Sequence, residues 1–324
     1  MATETSKTKS STLPHSRPEQ HSLLNFMEAQ IARLRSCGRV RTGETYLQAH
    51  NSFRRFLLSD KHRTHSRNAV DIPLKQITGE TMESYEAWLK ARGNVPNTVS
   101  FYMRILRAVY NRAVEQGMTG DRKPFRRVYT GVEKTVKRAL PIRTLSKIKS
   151  LDLHRDPKAD FARDMFMLSF YLQGMSFVDM SYLKKSDLRN GVLVYRRKKT
   201  GRLIRIRWTA EMQAVLDKYA PNPTEYLLPI ITSPPSDPRV VYRRQGYNVN
   251  RNLKRVGRQL NPPVVLTLYC SRHSWASAAR SNGVAISVIS EALGHDSEST
   301  TNIYLASLDT SAVDRANRLV IGLL

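Results

Sequence analysis

The stretch GVLVYRRKKTGRLIRIRW, residues 191–208, constrains the fold more than any other part of the chain. Apolar and basic residues alternate on both sides of Lys198-Lys199-Thr200-Gly201, and a period of two around a glycine-containing turn is the pattern of a β-hairpin. Elsewhere the apolar residues recur at helical spacing. Leu47, Phe53, Phe56 and Leu57 form one stripe, and Met82, Tyr85, Trp88 and Leu89 another. An apolar helix is predicted from Phe161 to about Gln173, with further helices near 144–151, 209–219, 241–260, 272–282 and 285–293. The expected fold is mainly α with a small antiparallel sheet or hairpin.

A chain of 324 residues has room for about two domains of ~100–200 residues each. Residues 1–20, rich in Ser, Thr, Lys and Pro, have little to bury and read as a disordered tail. Residues 21–117 read as a helical domain. Its last helix, Asn97 to Gly117, sets Met103, Leu106, Tyr110 and Ala113 on one face and gathers Arg104, Arg107 and Arg112 largely on another. That basic front is either a DNA-contacting surface or a solvated face. The helical period breaks in 118–139, which includes Arg126 and Arg127; this basic linker either tracks a phosphate backbone or simply connects. Residues 140–324 read as the second domain, bearing the hairpin.

Lysine and arginine number 53 against 27 acidic residues, a net charge of +26. So large a surplus points to a polyanionic partner, because each phosphate neutralised by Lys or Arg releases counterions. Nucleic acid leads and an anionic membrane surface follows. No apolar run approaches the ~20 residues of a spanning helix, and residues 1–20 lack the apolar stretch of a secretory signal. Cys37 and Cys270 are too few for a disulfide framework or zinc site, which fits an intracellular, reducing compartment.

The last hundred residues hold the chemistry. In YCSRHSWASAAR, 269–280, Arg272 sits at the predicted start of a helix that ends near Gly283. A second helix ends at Leu293-Gly294, which puts His295 in the loop just beyond it, and Tyr304 follows a short helix opened by DSESTTNI. Alone, each of these residues is ordinarily a surface or capping residue. In this order, at this spacing and with a basic hairpin upstream, they resemble the C-terminal signature of the tyrosine recombinase, or phage integrase, family. The resemblance covers residues from about Leu140 to the end, and the N-terminal half is similar to the family's core-binding domain in architecture only.

The resemblance implies two domains closing on duplex DNA as a clamp. It implies that Tyr304 attacks a phosphodiester to form a 3′-phosphotyrosyl bond, with no metal, ATP or other cofactor. Arg272 would clamp the scissile phosphate, and His295 would donate to a non-bridging oxygen or orient the tyrosine. Lys199 would protonate the leaving 5′-oxygen, with Lys198 its rival because the hairpin register is open. Asp179 and Asp187 read as structural, and His273 and Trp275 as packing residues.

Two positions depart from the family pattern. Gly174-Met175-Ser176 stands where a first arginine is expected, and Tyr269 stands where a histidine is expected three residues before Arg272. This pair is similar to integrases of conjugative elements in the Bacteroides lineage, which implies a bacterial cytoplasmic, DNA-associated protein. Arg197 lies two residues from Lys199, so strand alternation puts both on one side of the hairpin and makes Arg197 the expected replacement for the missing charge.

A homo-tetramer joining two DNA sites is expected, with accessory DNA-bending or directionality proteins as possible partners and no membrane. An apolar stripe of Ala312, Ala316, Leu319, Val320 and Leu323 either docks on a neighbouring protomer, the preferred reading, or packs in cis. The rivals are a type IB topoisomerase-like enzyme that reseals one strand and a catalytically silent DNA-binding regulator. The DNA target, and the choice among integration, excision, inversion and resolution, are not encoded in any motif.

Overall fold

The computed structural model describes residues 21–59, 71–133, 138–234, 237–306 and 321. The tail 1–20 and the stripe residues Ala312, Ala316, Leu319, Val320 and Leu323 lie outside them. The chain divides into two compact units, Met1–Glu133 and Lys134–Leu324, each with its own core.

The first unit is built from α1 (Leu23–Ser36), α2 (Val40–Ser59), α3 (Gly79–Ala91) and α4 (Pro96–Glu115). Thr78 caps α3 by accepting from the Thr81 N–H at 3.3 Å, and Pro96 opens α4, where a missing N–H costs nothing. Phe53, Phe56, Tyr85 and Trp88 form the centre of the core, and the buried Tyr85 hydroxyl donates to Ser52 at 2.7 Å. Met103, Leu106, Tyr110 and Ala113 are buried along α4.

The basic stretch after α4 is not a free connector in its first part. Phe125 and Val128 are buried in the core of this unit, the Tyr110 hydroxyl donates to the Gly120 carbonyl at 2.9 Å, and Asn97 bonds both backbone groups of Glu133. Two apolar side chains spaced three residues apart among charges were too sparse a signal to see in the sequence.

The second unit surrounds the buried helix α6 (Pro157–Tyr171), capped by Asp156, with α5 (Ile142–Ser150), α7 (Phe177–Ser181) and α8 (Ala210–Leu216) nearby. Packed on α6 are α9 (Pro238–Arg258) and α10 (Leu268–Ser281). The sheet has three antiparallel strands, β1 (Leu188–Arg189), β2 (Val192–Arg196) and β3 (Leu203–Arg207), so the hairpin gains a short edge strand. Tyr195 pairs with Ile204 and Leu193 with Ile206, all four buried, while Arg196, Arg205 and Arg207 face solvent. Finally α11 (Ile286–Leu293) and α12 (Glu298–Ala306) pack on α10 through Ile289, Leu293 and Leu305.

Among the described residues no helix is long and apolar enough to cross a membrane, and no three His, Cys, Asp or Glu side chains are placed to hold a metal ion.

Candidate active site

Helix α10 begins at Leu268, earlier than the expected start near Arg272, because Thr267 is extended and the Asn250 side chain of α9 accepts from the Leu268 N–H at 2.9 Å. Arg272 therefore lies in the second helical turn, and the free N–H groups of the helix end belong to other residues. Its guanidinium is buried, 4% exposed, and held by three acceptors. Nη1 donates to the Gly174 carbonyl at 2.8 Å, and Nη2 donates to the Leu293 carbonyl at 2.7 Å and to His295 Nε2 at 3.3 Å.

Arginine has only donors, so His295 Nε2 must be the acceptor and the ring proton sits on Nδ1, 2.8 Å from Thr301 Oγ1. Burial, followed by the charges of Arg272, Arg197 and Lys199, pushes the His295 pKa down to about 4. The imidazole is therefore neutral at pH 7. Burial and the neighbouring Arg197 charge likewise lower the pKa of Arg272.

The hairpin tip closes over the same place. Arg197 is buried and its Nη1 donates to the Gly294 carbonyl at 2.5 Å; Thr200 donates to that carbonyl at 3.2 Å, and Arg202 donates to the His295 carbonyl. Gly294 is the left-handed cap of α11, and a Cβ there would lie 2.8 Å from Ile204 and 2.9 Å from Arg197 Cδ. Strand alternation does not extend to Lys199, because β2 ends at Arg196 and Lys199 lies on the exposed turn. Its charge is nonetheless felt at His295. Lys198 points elsewhere, its Nζ 4.3 Å from the centroid of the Tyr182 ring.

Ser176, in the place of the expected arginine, caps α7: its hydroxyl donates to Asp179 Oδ2 at 2.6 Å, and the other Asp179 oxygen accepts from the Lys198 N–H at 2.7 Å. The buried Asp179 thus ties α7 to the hairpin. Asp187 accepts from the Lys184 N–H at 2.8 Å, also a structural contact.

Tyr304 lies on α12 with its ring 5.6 Å from that of His295. Burial raises its pKa. Among the described residues it meets one that the sequence reading set aside as packing: His273 Nδ1 is 2.5 Å from the Tyr304 hydroxyl. Tyr269 is 56% exposed and meets the His273 ring edge-on at 5.1 Å. Trp275 packs against the cluster containing Ala276 and Leu305.

The basic residues proposed for DNA contact are not one group. Arg104 and Arg107 are exposed on α4, Arg107 within 3.3 Å of Thr130, but half-buried Arg112 donates to Gln30 on α1 at 2.9 Å. At 3.6 residues per turn Arg112 is rotated by about 80° from Arg104 and about 140° from Arg107. Arg126 and Arg127 are exposed, Arg127 lying 4.0 Å from Glu83. The sequence reading placed a helix near 241–260 but missed the surface of α9, whose solvent face carries Arg244, Tyr247, Arg251 and Arg258 opposite the buried Val249, Leu253 and Val256.

Comparison with known proteins gives this constellation its setting. The sequence profile of the phage integrase family matches residues 149–311, and that of the phage integrase SAM-like domain matches residues 22–130. The chain belongs to the phage integrase family. As a member of that family of tyrosine recombinases it is a tyrosine-type site-specific DNA recombinase, as expected from the sequence, and neither rival reading is favoured.

Solved integrases share the fold. A lambda integrase (75–356) dimer bound to a COC′ core site superimposes with a TM-score of 0.67 at 18% identity, covering 88% of this chain and 95% of that one. The Tn1549 transposon integrase in complex with a circular intermediate DNA gives 0.64 at 15%, covering 94% and 99%. XerH recombinase bound to its difH substrate gives 0.60 at 16%, covering 91% and 84%. No curated protein matches the sequence.

Proposed function

We propose that this recombinase cleaves duplex DNA with Tyr304, holding the scissile phosphate between Arg272 and Arg197. The observation that carries the reading is convergence: four separate segments bring Arg272, Arg197, His295 and Tyr304 to one place, with His295 linked to Arg272 and Arg197 bonded to the loop that carries His295. In a phosphorane-like transition state negative charge grows on the non-bridging oxygens. Preorganised guanidinium groups then stabilise it more than the ground state. Arg272 keeps N–H groups beyond its three internal bonds, and Arg197, buried beside it, supplies the charge that Ser176 cannot. His295, neutral with its proton on Nδ1, orients Arg272 through Nε2. Lys199, on an exposed turn yet electrostatically close, protonates the 5′-oxygen. Tyr304 storing the strand as a covalent ester makes religation nearly isoenergetic, so no energy source is required.

DNA is the partner, and the fold matches are to DNA-bound integrases, one a lambda integrase tetramer on a Holliday junction. In this reading the helical unit, through Arg104, Arg107, Arg126 and Arg127, and the catalytic unit, through the α9 face, grip the duplex as a clamp. Four protomers pair two sites to exchange strands for a mobile element, with accessory DNA-bending proteins setting direction.

The test is a suicide duplex carrying the cognate site. Unsubstituted protein forms a denaturation-resistant adduct, Tyr304→Phe forms none, and Arg272→Ala and Arg197→Ala fall by at least about 10²-fold, the scale of losing one charge-stabilising donor. An adduct at full rate from Arg197→Ala removes it from the site. No adduct from the unsubstituted protein on any cognate site rejects the reading.

A further inference from the structure

His273 is unused in the chemistry assigned above. It is 7% exposed, its ring centroid is 5.3 Å from that of Tyr304, and its Nδ1 lies within hydrogen-bond distance of the phenolic oxygen. A buried phenol must give up its proton to become a nucleophile, and burial works against the bare phenolate.

Among the described residues, the other neighbouring candidates to take that proton are weak. His295 has Nε2 facing the Arg272 guanidinium and Nδ1 on Thr301, and two arginines and a lysine oppose its protonation. At the position where a histidine is expected stands Tyr269, and phenol is a far weaker base than imidazole. Among the described residues, the titratable and charged groups around the pair are Tyr269, Cys270 and Arg272 on α10 and His295 after α11.

We propose that His273 is the general base of strand cleavage, its Nδ1 taking the Tyr304 proton as the phenolic oxygen attacks phosphorus. The proposal rests on the reading of Tyr304 as nucleophile. The Oη–P bond forms and the P–O5′ bond breaks; the phenolic proton passes to His273, and Lys199 gives a proton to the 5′-oxygen. In religation a 5′-hydroxyl returns its proton to Lys199, and His273 returns its own to the departing tyrosine. Tyrosine ionisation and leaving-group protonation thus belong to two different residues on opposite sides of the phosphate.

The experiment measures adduct formation on suicide duplexes between pH 5.5 and 9.5, with melting temperature and DNA affinity as controls. The unsubstituted enzyme should rise with pH to a plateau through the loss of one proton. His273→Asn can keep a hydrogen bond at the Nδ1 position but cannot take a proton; it should bind DNA normally and cleave about 10²–10⁴-fold more slowly at pH 7, its rate still climbing at the highest pH. A 5′-bridging phosphorothiolate, whose leaving thiolate needs no proton, should restore Lys199→Ala and leave His273→Asn slow. Cleavage by His273→Asn at the normal rate and pH dependence, or its rescue by the phosphorothiolate, overturns the proposal alone.

Should the substitution unfold the protein, 3,5-difluorotyrosine at position 304 of the otherwise unchanged chain decides. With a histidine base the acid limb stays where it was; if it moves down with the more acidic phenol, the proposal is wrong. Absence of any adduct from the unsubstituted protein overturns the nucleophile assignment, and this proposal with it.

Discussion

Arg272 is in place before any substrate arrives, and the backbone beneath it makes that possible. Gly174 has φ +74°, and a Cβ there would lie 2.9 Å from the Arg272 Cα. Gly174→Ala therefore meets both a disfavoured backbone and a rigid neighbour. It should cost about 1–3 kcal/mol of stability, seen as a lower melting temperature, and slow adduct formation more than its loss of stability explains.

His295 makes a second residue-level prediction. Its folded pKa of about 4 lies below the ~6.5 of an unfolded histidine, so between these values the unfolded chain binds more protons and stability falls as pH falls. Melting temperature should decline from pH 6.5 towards 4, and His295→Gln, which cannot take up a proton, should flatten that decline.

At this scale the order and spacing that single out Arg272, His295 and Tyr304 were legible in the sequence, and the structure brings the three side chains together. The contact of His273 with Tyr304 was not, since it joins residues 31 apart through the docking of α12 on α10.

Among elements, the hairpin shows why pattern reading stops at a turn. Alternation marked the two hairpin strands, but the tip is organised by bonds that no period encodes: Asp179 to the Lys198 N–H, and Arg197, Thr200 and Arg202 to the loop after α11. Asp179→Ala removes the first of these from a buried position and leaves the Lys198 N–H unsatisfied, at a cost of about 1–3 kcal/mol. Faster hydrogen exchange at 198–202 would report the loosened tip.

Helix α9 was found as a helix and missed as a surface, because its charges surround an apolar stripe too short to stand out in one dimension. Arg244, Tyr247 and Arg251 succeed one another on one exposed face. Arg244→Gln and Arg251→Gln should each weaken DNA binding across all sequences and lower the salt slope by about one, as expected for phosphate contacts. Adduct formation from fully bound complex should stay unchanged.

For the whole molecule the two cores are separate in sequence: one is built from residues up to Val128, the other from Leu145 onward. The helical period breaks after Gly117 in the sequence, and Phe125 and Val128, inside the expected linker, belong to the first core. Since every residue of the candidate site lies in the second unit, residues 134–324 alone should retain Tyr304-dependent adduct formation at saturating DNA. Affinity is a different matter, because the +26 surplus is shared by both units. If the full chain neutralises about 6–10 phosphates, its affinity should drop by about 10³–10⁵ between 50 and 200 mM salt. The isolated catalytic unit should show a shallower slope, and the difference measures the phosphates gripped by the helical unit. Equal slopes would mean that unit does not touch the backbone, and the clamp would have to be abandoned even if the chemistry stands.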